Sequence, residues 1–291
     1  MLVHIKKIVR ETEKSDYALG AFNVHNLESV LGVARAAVRT KSPAIIQVSE
    51  GTIKYMGLKP ITHIVSTVAK NIAASVPIAL HLDHGRNFNS IMECINAGFS
   101  SVHIDASDLP LDENISLTGQ VVDLAHRKKV WVQGEVGPMI GGHGDVSRRL
   151  SNIPIARVQD VVKFVQKTGV DTIAAAIGTA HGIHENEDIL IDLLREIKTK
   201  TKKPFVLHGG SGVPEEKIKQ AIKEGVNIIN IGTDIKLAFS RTLIKTCLAN
   251  QSETDPRRLL KPTIEAVEKV VSERMVLFGS ANRVIVHEIK T

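Results

Sequence analysis

Three histidine-bearing stretches stand out, each at the end of a short apolar run: His81-Leu82-Asp83-His84-Gly85, Gly178-Thr179-Ala180-His181-Gly182 and His208-Gly209-Gly210-Ser211-Gly212. Imidazoles delivered in this way can build a zinc site with one coordination position open, the catalytic rather than the structural arrangement. A carboxylate, Asp83, lies beside one of them. Strand alternation turns His81 to the same side as Asp83 and away from His84, so His81 is left out of the metal set.

The elements that must position these groups are legible along the chain. Apolar, β-branched runs at 19–24, 44–48, 78–82, 101–105, 130–135, 172–177, 205–208 and 227–231 alternate with amphipathic segments at 27–40, 61–74, 89–97, 112–128, 158–168, 189–199, 215–224 and 234–249. That rhythm is the mark of repeated βα units around a parallel sheet. Eight units predict an α/β protein with a closed (β/α)8 TIM barrel, the alternative being an open doubly wound sheet. After Asp255-Pro256 a further helix is predicted over 262–277, giving one domain over 1–291 with an extra C-terminal helix.

In such barrels catalytic groups come from the C-terminal ends of the strands. Each predicted strand ends at or near a polar group: Asn23, Ser49, Asp83 with His84, Asp105, Glu135, His181, His208, and Asn230 with Thr233. Taken singly, each is a capping or core residue; together they form a rim. The loops Gly209–Gly212 and Asn230–Thr233 follow strands seven and eight, where barrels commonly hold phosphate, and offer N–H groups and hydroxyls. A Lewis-acid metal, a carboxylate and a phosphate cradle point to chemistry on a phosphorylated carbonyl compound. The metal would polarise a ketone oxygen, and Asp83 would move the proton of the hydroxyl that becomes an aldehyde.

Composition narrows the remaining classes. Of 291 residues, 43% are hydrophobic, enough for a large core, and the 2 cysteines form no pair pattern, which favours a reducing, cytoplasmic setting. Residues 1–16 mix apolar and charged side chains at helical spacing and lack a signal peptide's apolar stretch; no membrane span is expected. The net charge of +6 is spread over short basic clusters with 3% aromatics, so a solvated surface is expected rather than nucleic-acid binding.

The set of motifs resembles that of class II, metal-dependent ketose-bisphosphate aldolases nearly end to end. It runs from Ala21-Phe22-Asn23-Val24 through the three histidine stretches, Ile104-Asp105-Ala106-Ser107 and Asn230–Asp234 to Asp255-Pro256-Arg257 and Phe278-Gly279-Ser280. The resemblance implies one catalytic Zn2+ on His84, His181 and His208, with Asp83 as acid/base at the substrate's C4 hydroxyl. It places a second or displaced metal near Asp105 and Glu135, and a monovalent cation is a further possible cofactor. It assigns Gly182, Gly210, Ser211, Asn230 and Thr233 to the dihydroxyacetone-phosphate end, and Asn23 and Ser49 farther along the substrate. Arg257 would reach the second phosphate of a neighbouring subunit, so a homodimer or homotetramer is implied. The implied reaction is reversible aldol cleavage of a ketose 1,6-bisphosphate, fructose 1,6-bisphosphate first, with tagatose bisphosphate or another ketose phosphate as alternatives. Co, Mn and Fe would also accept imidazole.

The chain departs from the family at the loop after strand five, usually Gly-Gly-x-Glu-Asp, whose glutamate exchanges the proton on the substrate carbon. Here Gly144 stands at that glutamate's place, flanked by His143 and Asp145, either of which could substitute from a flexible loop. A smaller departure is Asp108, where many relatives carry histidine. The altered loop and basic pI motivate a reading of another class, a metal-binding barrel without turnover that serves as an interaction or nucleic-acid-binding module.

Overall fold

The computed structural model describes residues 1–139, 153–184 and 188–284. Eight parallel strands, β1 (Leu19–Asn23), β2 (Ala44–Ser49), β3 (Ile78–Gly85), β4 (Ser101–Ile104), β5 (Trp131–Val136), β6 (Thr172–Ala175), β7 (Phe205–Leu207) and β8 (Val226–Ile231), pair in sequence order. They close into a barrel through β1 and β8. Among the described residues the helices are α1 (Ile5–Thr12), α2 (Leu27–Thr40), α3 (Glu50–Met56), α4 (Leu58–Asn71), α5 (Phe88–Asn96), α6 (Leu111–Arg127), α7 (Val158–Thr168), α8 (Ile191–Thr201), α9 (Glu215–Lys223), α10 (Thr233–Ala249) and α11 (Pro256–Leu277). This is the (β/α)8 barrel with a C-terminal helix that the alternation predicts.

Strand alternation divides the side chains between two cores. Phe22, Ile46, Leu80, Val102, Val132 and Ile229 join the surrounding helices in one apolar shell. Their neighbours of opposite parity, among them Leu19, Ala21, Ile45, Ala79, Val206 and Ile228, form a smaller cluster with Ile5, Ile8 and Val9 of α1. Helix α1 therefore plugs the N-terminal end of the barrel. Its first turn donates from Ile5 N to Ser100 Oγ at 3.2 Å, and Asn227 Nδ2 donates to Thr12 Oγ1 at 3.0 Å. Higher up, the same inward parity brings Gln47, His81, His103 and Gln133 into the interior, all buried.

Three departures from the sequence reading have physical causes. Helix α11 begins at Pro256, six residues before the predicted start, because Asp255 caps it by accepting from Arg257 N at 2.9 Å and proline suits the first turn. The interior Pro262 is tolerated through packing on α2 and α10, where Gly32 leaves room: a Cβ there would lie 2.6 Å from Val267 Cγ1. Helix α3 is an unforeseen short helix capped by Ser49, and α4 starts at Leu58 with Pro60 in its first turn. Strand β3 runs on to Gly85, past the predicted end at 82, with a register shift against β4 between Leu82 and Gly85.

Because α1 seals the end opposite the predicted chemistry, Ile8→Ala should cost about 2–3 kcal/mol of stability in urea unfolding, as buried isoleucine truncations do, and leave kcat unchanged at 25 °C. A fall in kcat without loss of stability would contradict this division.

Candidate active site

The irregular end of β3 determines the site. His84 has φ of +48°, a left-handed conformation uncommon for a side-chain-bearing residue, so the strict alternation ends there. Asp83 and His84 consequently both face the mouth: His84 Nε2 lies 3.8 Å from Asp83 Oδ1. His81 stays below, buried, with Nδ1 2.9 Å from Ser101 Oγ.

Asp83 is 1% exposed and accepts from Asn23 Nδ2 at 2.7 Å and from Gln47 Nε2 at 3.4 Å. Burial by itself would raise its pKa, but the imidazoles of His84 and His208 outweigh that and hold the carboxyl well below the usual carboxylate range. His84 Nδ1 donates to Asp105 Oδ2 at 2.7 Å, which orients the ring and directs Nε2 to the mouth, the carboxylate–histidine arrangement of metal ligands. Burial pulls His84 down; the carboxylates of Asp83, Asp105 and Glu135 push it up further, to about 9. The other oxygen of Asp105 is taken by Ser107 Oγ at 2.7 Å. Arg86 bridges the rim, 3.6 Å from Asp105 and 3.4 Å from Asp108, which gives Asp108 an electrostatic partner.

His84, His103, Glu135 and His208 bring one ligand atom each within 4.8 Å of one another. Glu135 Oε2 lies 3.4 Å from His103 Nε2 and 3.6 Å from His208 Nδ1. These three residues are fully buried as side chains, and among the described residues both Glu135 oxygens, His103 Nε2 and His208 Nδ1 form no hydrogen bond. Buried polar atoms rarely stand so, and a convergent group of them fits a cation. The Gln133 side-chain amide lies 2.8 Å from His208 Nε2, so Nδ1 is the ring nitrogen that faces Glu135. Burial pushes Glu135 up, to about 8.

His181, predicted as a ligand, has its ring 4.9 Å from that of His84 and 6.1 Å from that of His208. His184 Nε2 holds its loop through the His181 carbonyl at 2.7 Å. His181 also lines a cleft with Asp83, Asn23, Gly182, Ser211, Asn230 and Thr233. The Gly210 N–H donates to Asn230 O at 3.2 Å and ties together the loops after β7 and β8. Ser49 pairs in register with Asp83, and its side chain caps α3. Arg257 lies elsewhere, exposed at the start of α11, with its guanidinium on Asp255 at 2.8 Å. His143 and Asp145 lie outside the described residues.

The sequence reading passed over His103, Gln47 and Gln133. Each interrupts an apolar strand at an inward position, two residues before Asp105, Ser49 and Glu135 respectively. Polarity at inward parity was the available signal.

The fold and the site define a barrel protein with an imidazole–carboxylate cluster at the C-terminal strand ends that could hold a cation. A family model described as fructose-bisphosphate aldolase class-II matches residues 3–283. A fructose-bisphosphate aldolase of Streptococcus pyogenes serotype M3 is 39% identical over 295 residues, 97% of this chain and 99% of that protein. The probable fructose-bisphosphate aldolase of Bacillus subtilis is 38% identical over 284 residues, 97% and 99% of the two chains. Among solved structures, the YdjI aldolase from Escherichia coli K12 matches with a TM-score of 0.82 at 29% identity, covering 98% of this chain and 100% of that one. The chain belongs to the class II fructose-bisphosphate aldolase family.

A proton on His84 competes with any cation, since the carboxylates of Asp83, Asp105 and Glu135 push the ring's pKa up to about 9 against the effect of burial. The apparent affinity for a divalent cation should therefore rise with pH, about tenfold per unit for each proton displaced, and level off above pH 9. Titration calorimetry in two buffers of different ionisation enthalpy counts those protons; an affinity independent of pH between 6.5 and 8.5 would contradict the assignment.

Proposed function

We propose that the protein is a zinc-dependent aldolase that reversibly cleaves fructose 1,6-bisphosphate to dihydroxyacetone phosphate and glyceraldehyde 3-phosphate. The observation that carries the reading is the placement of an ionised, doubly held Asp83 beside the imidazole–carboxylate cluster at one barrel mouth. The family implies a divalent metal, and the orphaned buried atoms of the cluster fit one. His84 and His208 would hold it together with His181, and Glu135 offers a second position beneath. When bound, the cation supplies a Lewis acid for the substrate carbonyl.

The chain's own groups perform the remaining work. Asp83 takes the C4 hydroxyl proton as the C3–C4 bond breaks, the aldehyde forms, and the electron pair stays on the C3 side. Asn23 and Gln47 keep the carboxylate aimed. Ser211, Thr233 and Gly182 line the cleft near the start of α10, a 17-residue helix whose N-terminal N–H groups and dipole favour a phosphate. Asn230 Oδ1, buried and without a hydrogen bond among the described residues, is an acceptor for a substrate hydroxyl. Proton delivery to C3 falls to His143 or Asp145, and Arg257 serves a partner subunit's second phosphate in a dimer or tetramer. No helix among the described residues is long and apolar enough to cross a membrane.

In a coupled assay, metal-replete protein should release triose phosphate from fructose 1,6-bisphosphate faster than from tagatose 1,6-bisphosphate, and a chelator should abolish it. No chelator-sensitive release from any ketose bisphosphate, with salt-sensitive nucleic-acid binding instead, would favour the non-enzymatic alternative. Asp83→Ala should lower kcat by about 10²–10⁴ while metal content is retained. Activity lost in one of His143→Ala and Asp145→Ala identifies the loop proton carrier.

A further inference from the structure

His103 is buried beneath the mouth and has no part in the proton or phosphate chemistry above. Its Nδ1 accepts the backbone N–H of His84 at 3.3 Å. A backbone N–H can only donate, so Nδ1 presents its lone pair and the ring carries its proton on Nε2. That Nε2–H faces Glu135 Oε2 at 3.4 Å, and neither atom has a hydrogen-bond partner among the described residues. The backbone of Glu135 is fixed from the other side, where Asn114 Nδ2 donates to Glu135 O at 2.9 Å. Glu135 thus meets an N–H of His103 in a dry interior, where such an electrostatic contact is poorly screened.

We infer that His103 is a positioning residue for Glu135: its Nε2–H holds the buried carboxylate so that its oxygens face the His84 and His208 rings and can hold a cation. The left-handed turn at His84 thereby orients two things at once, its own ring directly and Glu135 through His103. Direct ligation by His103 is disfavoured, because Nε2 would have to lose its proton while Nδ1 still accepts one. Removing groups that orient ligands in this way typically costs 10–100-fold in metal affinity. The inference rests on the metal reading proposed above, and the experiment separates the two.

Apoprotein of the full chain is titrated with Zn2+ in competition with a chromophoric chelator. His103→Met, which fills similar space without an N–H, should bind about 10–100-fold more weakly than wild type. His103→Gln, which restores an N–H, should recover to within about threefold. In a Glu135→Gln background, His103→Met should cause no further loss, because the group it orients no longer carries the charge. Circular dichroism and thermal unfolding of each apoprotein confirm a folded barrel, and the double-variant comparison holds even where stability falls. If wild type binds Zn2+ and His103→Met matches it, the inference fails and the metal reading stands. Equal losses in the Met and Gln variants would make His103 a ligand and overturn its positioning role. If wild type binds no Zn2+, both readings fall.

Discussion

A β-strand shows only every second side chain to one face, and this site needs two consecutive ones. The buried carboxylate and the imidazole that meet at the mouth are neighbours in the chain, Asp83 and His84. Regular geometry would put one of them in the outer shell. The left-handed backbone at His84, costing roughly 1–2 kcal/mol for an L-residue, resolves the conflict by ending the alternation at that residue. Hydrogen bonds made only in this arrangement offset the strain: the His84 ring donates to Asp105, and its backbone N–H donates to His103. Gly85 completes the turn, since a Cβ there would lie 2.9 Å from His103 O.

From this constraint follows the electrostatic character of the mouth. Once His84 turns inward, Asp83, Asp105 and Glu135 converge on a space shared with His103 and His208, and all but Asp105 are almost fully buried. Desolvation opposes ionisation of each carboxyl, and their mutual repulsion raises Glu135 further. Protonated imidazole relieves part of the imbalance, which is why His84 holds its proton so firmly. A divalent cation would relieve it more completely, because it would bring two charges into the space between the carboxylates. Binding a cation there would also stabilise this end of the barrel.

The fold was legible because the barrel's two cores are written in the strands as alternating apolar residues, and the eight βα units follow one another without interruption. Boundaries were lost where tertiary contacts override local signals: α11 passes through Pro262 because α2 and α10 hold it. The rim residues could be found from strand ends, since Asn23, Asp83, His208 and Asn230 are polar groups stopping apolar runs. The parity argument set His81 apart by pointing it away from His84, but the alternation ends at His84, and what separates His81 from the mouth is its place one layer lower, on Ser101. The end of the alternation lies in one backbone dihedral, which composition and spacing do not encode. His103, Gln47 and Gln133 were missed for a different reason. They lie one layer below the strand ends, and a search confined to the rim passes over them.

That buried layer explains why the rim groups are placed with such definition. Gln47 fixes Asp83, Gln133 fixes His208, and His103 faces Glu135, so these three groups rest on an amide or imidazole of the layer beneath. Amides and a doubly constrained imidazole suit this role because they offer hydrogen bonds without adding net charge to an interior already crowded with carboxylates. Below them Leu19, Ala21, Ile45, Ala79, Val206 and Ile228 form an apolar cluster closed by α1. The barrel interior thus changes along its axis from an apolar plug, through a neutral hydrogen-bonding tier, to a charged mouth. The middle tier lets the two ends coexist: it separates buried charge from the apolar core while transmitting the strands' rigid geometry to the side chains that do the chemistry.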